Sequence, residues 1–416
     1  MSFSCYIKRN PVSWPIEPDG IAASNARHFA VIPVFDENEN IAASLASVKQ
    51  SLQNSPEPIA VLLVVNEPPS ASSSARNANA ELLQSLRKND GKYDGGLAVG
   101  KELFFIDLTD KEIPHKFRTV GNARKIGFDG ILGASDGKVT KENSLFFSLD
   151  ADTLVAGNYF SAALAYQKQN PAAAGAVYYF EHRLPEHDKA LSNAVMRYEI
   201  FLLDYAEKLF QSKSLFNFWT IGSAFFCTAR DYVRCGGMRR HAAGEDFYFL
   251  QALRKVGAVG IIAQSCVYPA GRVSDRVPFG TGPAIARQLA GNGLELYNSG
   301  GFELLRDFFT RCGNALPEDL AGDITALAPA ELKNFLDEQN FAAIWQKILR
   351  NTPRQREKLL MALQTYCDGF FILKFCHYLE TAYPDRYSRE KMYPDSELTE
   401  RLADLRRQAI QRASDC

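Results

Sequence analysis

Apolar runs that alternate with helix-like stretches dominate the first half of this 416-residue chain. Residues 28–35, 58–65, 103–107 and 144–149 each read as a buried strand. Between them, Ile41, Leu45, Val48 and Leu52 recur at helical spacing, with Asp36 or Asn38 as a cap. A second helix is expected near 79–86, and a third through Val120, Ala123, Ile126 and Ile131 to about Ala134. Strand alternating with helix is the pattern of an α/β fold, a mostly parallel sheet with helices on both faces. Further strands are expected at 173–180, 224–227 and 258–268, with helices at 188–210, 230–234 and from 244–246 onward. Pro11, Pro15 and Pro18 argue for an extended lead-in over 1–27. Near residue 290 the texture changes, and helical signals follow at 302–309, 329–340, 342–349, 354–381 and 395–413. The expected organisation is therefore a lead-in at 1–27, a sheet domain at 28–290 and a helical C-terminal region at 291–416.

Composition narrows the partners. The net charge is −1, so there is no basic excess for nucleic acid or an anionic membrane. The eight cysteines form no CxxC and follow no signal peptide, which suits reduced thiols and a cytoplasmic location. No apolar run approaches the roughly 20 residues of a membrane span. The stripe of Val195, Ile200, Leu203, Ala206 and Leu209 faces either a core or, by peripheral contact, a membrane surface.

The run at 144–149 ends in Asp150 and Asp152, where ligands bind in open α/β sheets. In an extended stretch both carboxylates would project to one side. Two such oxygen donors suit Mg²⁺ or Mn²⁺ bridging to a diphosphate, although Asp is also common in solvated turns. Glu245 and Asp246 open a helix, a place that capping and the helix dipole favour for acids. Lys116, Arg118, Arg124 and Lys125 form either a solvated basic face or a contact to an anionic donor. Arg272 and Arg276 lie in a Gly-rich loop, from which a guanidinium fork can reach a diphosphate. Phe216, Phe218 and Trp219 either stack on a ligand ring or line an apolar ligand group, or belong to the core.

The ordered set of motifs resembles the family 2 nucleotide-sugar glycosyltransferases over residues 28–290. Pro33-Val34-Phe35-Asp36-Glu37 is similar to their first-strand signature, and Gly121-Asn122-Ala123-Arg124-Lys125-Ile126-Gly127 to their Gly-x-Ala-Arg-Asn-x-Gly helix. Asp150-Ala151-Asp152 resembles their metal motif. Ile221-Gly222-Ser223, Gly236-Gly237 and Gly244-Glu245-Asp246 resemble the acceptor segment and the Glu-Asp motif, in the family's order. The resemblance implies a GT-A fold, a UDP- or GDP-sugar donor, Mg²⁺ or Mn²⁺, and inverting, non-processive transfer to a saccharide or lipid-linked acceptor. It implies Asp246 as general base with Glu245 orienting, Asp152 and Asp150 as metal ligands, and an acceptor site at Trp219, Gly222 and Ser223. Donor binding falls to Pro33, Phe35, Glu37, Asn66, Arg124, Asp150, Arg272 and Arg276.

Departures from the pattern are specific. Asn66-Glu67-Pro68-Pro69 stands where the family often has Asp-Asp-Gly-Ser, and no histidine lies between His241 and His377 to serve as a late metal ligand. The absence of a Gln-x-x-Arg-Trp motif and of membrane helices argues against a processive synthase. A nucleotidyltransferase would carry a Gly-rich, basic loop after the first strand, where this chain has acidic 36–40. A catalytically silent sugar- or partner-binding module is disfavoured by intact carboxylates at both acidic motifs.

Overall fold

The computed structural model describes residues 2–110, 112–114, 118–134, 140–240, 244–274 and 280–415. The chain forms two compact units. The first comprises the chain up to Val195, Thr220–Leu289 and the residues from Gln408 onward; the second comprises Met196–Trp219 and Ala290–Arg407.

The first unit opens with helix α1 (Phe3–Arg9) where an extended lead-in was expected. Only Tyr6 of this helix is buried, so it leaves no periodic trace in the sequence. The Tyr6 hydroxyl donates to Asp129 Oδ1 at 2.9 Å, and Lys125 Nζ donates to Asp129 Oδ2 at 2.6 Å.

The apolar runs become β1 (His28–Val34), β2 (Ile59–Asn66), β3 (Leu103–Leu108) and β4 (Leu145–Ser148). β1, β2 and β4 are buried at every position, as expected of strands covered on both faces. They alternate with α2 (Ile41–Gln53), α3 (Ser73–Lys88) and α4 (Val120–Gly133). α3 starts earlier than the apolar pattern suggests, because the Ser72 hydroxyl caps it by accepting from the Ala75 N–H. Apolar patterning leaves 153–172 unassigned; the structure places there β5 (Leu154–Val155) and α5 (Tyr159–Gln169). Next come β6 (Ala173–Phe180), α6 (Lys189–Gln211), β7 (Phe225–Thr228), α7 (Ala229–Arg234), α8 (Glu245–Val256), β8 (Ala258–Tyr268) and α9 (Thr281–Leu289).

Eight strands form one sheet in the order β3-β2-β1-β4-β7-β6-β8-β5. Only β7 and β5 run antiparallel to the rest, so the sheet is mostly parallel. Pro33 lacks an amide hydrogen, yet it sits inside β1 at no cost to the ladder. The β1–β4 pairing extends only to Val31↔Ser148, so the strand is free on that side at Pro33.

In the second unit, α10 (Ser299–Asn314), α11 (Pro317–Ala321), α12 (Ala330–Glu338), α13 (Phe341–Arg350), α14 (Arg356–Tyr366), α15 (Gly369–Ala382), α16 (Pro384–Tyr387) and part of α17 (Leu398–Asp415) accompany a two-stranded ribbon of β9 (Glu295–Leu296) and β10 (Glu390–Lys391). Phe308, Leu332, Phe335, Trp345, Leu363 and Phe375 contribute to its core. The stretch read as one helix over 354–381 is two, since Asp368 caps α15 by accepting from the Phe370 and Phe371 N–H groups. Ile200, Leu203, Ala206 and Leu209 of α6 are buried, which favours the core-facing reading of that stripe. Among the described residues no single helix is long and apolar enough to cross a membrane.

Helix α4 lies close on the sheet at Gly127, where a Cβ would come within 2.5 Å of Val31 Cγ1 and 3.1 Å of Val64 Cγ2. Gly127→Ala therefore overpacks the α4–sheet contact and is expected to cost about 1–3 kcal/mol. Urea unfolding should show this as a lower midpoint at unchanged slope.

Candidate active site

The carboxyl ends of β1 and β4, the first half of α4, the start of α8 and the segment after β8 bring charged residues together within the first unit. At the centre is Arg124, whose side chain is 3% exposed. One guanidinium nitrogen, Nη1, donates to Glu245 Oε1; the other, Nη2, donates to Asp150 Oδ1. The two acidic motifs, nearly a hundred residues apart in sequence, thus meet on a single cation.

Local sequence makes this meeting possible. Thr119 caps α4 through the Asn122 N–H, which starts the helix before Arg124. A Cβ on Gly121 would lie 2.8 Å from the Glu245 side chain, and one on Gly222 would lie 2.6 Å from Arg124 Nη2. Both glycines clear the path of the ion-pair chain. The Ser148 hydroxyl donates to the Gly222 carbonyl at 2.6 Å, tying the end of β4 to the segment before β7.

Arg118, Arg124 and Lys125 are all buried, so the solvated basic face does not form. Arg118 donates to the Asp110 carbonyl, and Lys125 pairs with Asp129. Lys116 lies outside the described residues.

Asp150 and Asp152 do not continue the strand in extended form. The Thr153 N–H donates to the Asp150 carbonyl at 3.1 Å and closes a turn. Each carboxylate then meets a different arginine. Asp152 Oδ2 accepts from Arg272 Nε at 2.9 Å and Nη2 at 2.7 Å, and Arg272 Nη2 also donates to Glu37 Oε1. Arg183, which the sequence did not single out, donates to the Asp152 carbonyl at 2.6 Å. Its position just after β6, at the carboxyl end of a parallel strand, is the signal that could have found it.

Burial pushes the Asp150 carboxyl above its usual range; Arg124 opposes this, and the Asp152 and Glu245 charges add to it. Asp246 is pushed up to about 7, by burial first and then by Glu245, against the pull of Arg124 and the Phe247 N–H. That N–H donates to Asp246 Oδ1 at 2.8 Å.

Other sequence-derived candidates stand apart from this chain of contacts. Asn66 is buried, and its carbonyl accepts from Asn79 Nδ2 at 3.1 Å. Asn79 Oδ1 also accepts from the Asp36 N–H at 3.1 Å, so this unpredicted residue braces the ends of β1 and β2. Pro33 is buried and Phe35 partly exposed. Ser223 is buried, with no hydrogen-bond partner for its hydroxyl among the described residues. Trp219 is buried, as are Phe216 and Phe218, and belongs to the second unit. Arg276 lies outside the described residues.

Among the described residues no group of three or more His, Cys, Asp or Glu side chains is gathered to hold a metal ion. Asp150 and Asp152 supply two carboxylates, each with one oxygen on an arginine. That donor set suits Mg²⁺ or Mn²⁺ only where phosphate and water oxygens complete the shell.

No protein-family model and no curated protein matches the chain. Among solved structures it is similar to residues 1–349 of S. aureus TarS in complex with UDP, at 12% identity and TM-score 0.39 over 82% of this chain and 91% of that one. The same TarS segment with UDP-GlcNAc matches at 11% identity and TM-score 0.40, with the same coverage. The mannosyltransferase PcManGT from Pyrobaculum calidifontis, in complex with GDP-Man and Mn²⁺, matches at 12% identity and TM-score 0.38 over 99% of this chain and 89% of that one.

Removing the central guanidinium leaves the Glu245 carboxylate, 4% exposed, without its cation, and frees the more exposed carboxylate of Asp150. Arg124→Met is expected to cost about 3–5 kcal/mol of stability, the usual penalty for breaking a buried ion pair from one side. Arg124→Lys should recover only part of it, because an ammonium cannot span both acids as a planar fork. Chemical denaturation of the three proteins measures the difference.

Proposed function

We propose that this chain is a nucleotide-sugar-dependent glycosyltransferase of GT-A type, inverting and non-processive, using a UDP- or GDP-sugar. The single observation that supports this most is the shared grip of Arg124 on Asp150 and Glu245. It puts a pair of carboxylates suited to a diphosphate-bound cation beside a second pair suited to acid–base work.

Asp246 is assigned the role of general base. The acceptor hydroxyl oxygen attacks the anomeric carbon as the bond from that carbon to the diphosphate oxygen breaks. Asp246 takes the hydroxyl proton, and attack from the face opposite the leaving group inverts the carbon. A carboxyl pushed up to about 7 is a better base at neutral pH than an ordinary aspartate. Glu245, fixed by Arg124, keeps the start of α8 in register. Asp152 and Asp150 would hold Mg²⁺ or Mn²⁺, which when bound supplies positive charge to the departing diphosphate. Glu37, Arg272, Pro33, Phe35 and Asn66 are assigned to the donor side; Gly222 and Ser223 are assigned to the acceptor side.

Asp246→Asn is expected to lower kcat by about 10²–10⁴-fold with donor KM nearly unchanged. Wild-type turnover in this variant would place the base elsewhere, and retention at the anomeric carbon by proton NMR would exclude the single-base route. Because Asp246 must be ionised to act, kcat/KM should rise with pH through about 7 and fall tenfold per unit below it. Glu245→Gln removes a negative charge that raises Asp246, so its acid limb should move to lower pH.

A further inference from the structure

Asp152 is the carboxylate the sequence offers to a divalent ion, yet here it already carries a cation. Arg272 turns both Nε and Nη2 onto Asp152 Oδ2 and shares Nη2 with Glu37. The pair is well shielded: the Asp152 side chain is 19% exposed and that of Glu37 is 6% exposed. Glu37 Oε2 in turn accepts from Asn40 Nδ2 at 2.9 Å.

The backbone next to Arg272 is closely packed. A Cβ on Gly271 would lie 2.5 Å from the Arg183 carbonyl and 2.9 Å from Val195, so the chain is pressed against both. The Arg183 N–H donates to the Pro269 carbonyl at 3.0 Å. On the far side, a Cβ on Gly282 would lie 2.6 Å from Ser274. The Arg272 side chain is 34% exposed.

We propose that Arg272 is the resident counter-cation of Asp152, and that a divalent ion binds there tightly only when a diphosphate takes the guanidinium in exchange. An ion and a guanidinium cannot share one carboxylate without like-charge repulsion. A diphosphate resolves the conflict, because its oxygens accept the planar fork as well as a carboxylate does. Ion and diphosphate then bind cooperatively, each raising the other's affinity by the same factor. The diphosphate half of this exchange rests on the glycosyltransferase reading; the competition at Asp152 does not.

The test is Mn²⁺ binding to the full chain, followed by the EPR signal of free Mn²⁺, with no turnover required. Arg272→Gln is expected to bind Mn²⁺ about tenfold more tightly than wild type in the absence of nucleotide, within the usual range of site–site coupling. Arg272→Lys, which keeps the charge and loses the fork, should fall between the two. UDP, GDP or inorganic pyrophosphate should tighten protein-bound Mn²⁺ more on the wild type than on Arg272→Gln, after subtraction of the Mn²⁺ each binds without protein. Asp152→Asn should remove the binding in every background.

Equal or weaker Mn²⁺ affinity in Arg272→Gln overturns the proposal, as does Mn²⁺ binding that survives Asp152→Asn. Should pyrophosphate couple to Mn²⁺ while neither nucleoside diphosphate does, the exchange at Asp152 stands and the nucleotide-sugar reading falls.

Discussion

One buried guanidinium does for this site what a covalent cross-link would do elsewhere. Arg124 joins the end of β4 to the start of α8, and nothing else described here links Asp150 to Glu245 directly. A buried charge is tolerated when countercharges meet it; two carboxylates do so here, although the Arg124 Nε finds no hydrogen-bond partner among the described residues. Gly121 and Gly222 give up side chains to leave it space, and Ser148 fixes the carbonyl of Gly222 beside it. The motif that contains Arg124 thus serves three surfaces at once. Gly121 meets Glu245, Arg124 meets both acids, and Gly127 meets the sheet.

The same helix is held from behind. Lys125, the next residue, turns away from the site and pairs with Asp129, which also receives the hydroxyls of Tyr6 and Tyr232. The direction in which Arg124 points is therefore set by contacts on both sides of α4. A helix of seven residues at the start of the chain contributes to the placement of a group more than a hundred residues later.

The strands were largely legible because burial on both faces leaves no ambiguity of period: the runs at 28–35, 58–65, 103–107 and 173–180 correspond closely to β1, β2, β3 and β6. Short elements were not. β5 has two residues, and α1 buries a single side chain, so neither imprints a pattern. The break between α14 and α15 depends on one aspartate accepting two amides, which apolar periodicity does not register. In the site, the identities of the acids were legible and their partners were not. Arg124 and Glu245 lie 121 positions apart, and Arg272 and Glu37 lie 235 apart. Hydrophobic spacing carries no record of such distant pairings. The basic residues around Arg124 looked like a surface because their countercharges come from elsewhere in the chain.

The pairing of Arg272 with Asp152 and Glu37 has a consequence for encounter kinetics. Here the two guanidinium groups of Arg124 and Arg272 face the four carboxylates of Asp150, Glu245, Asp152 and Glu37, so this set of contacts carries an excess of negative charge. Toward an anion these side chains act in the opposite sense to clefts that draw in charged ligands by steering, and a bound cation would reverse it. Salt, by screening that excess, would ease the approach of an anion in the absence of a bound cation.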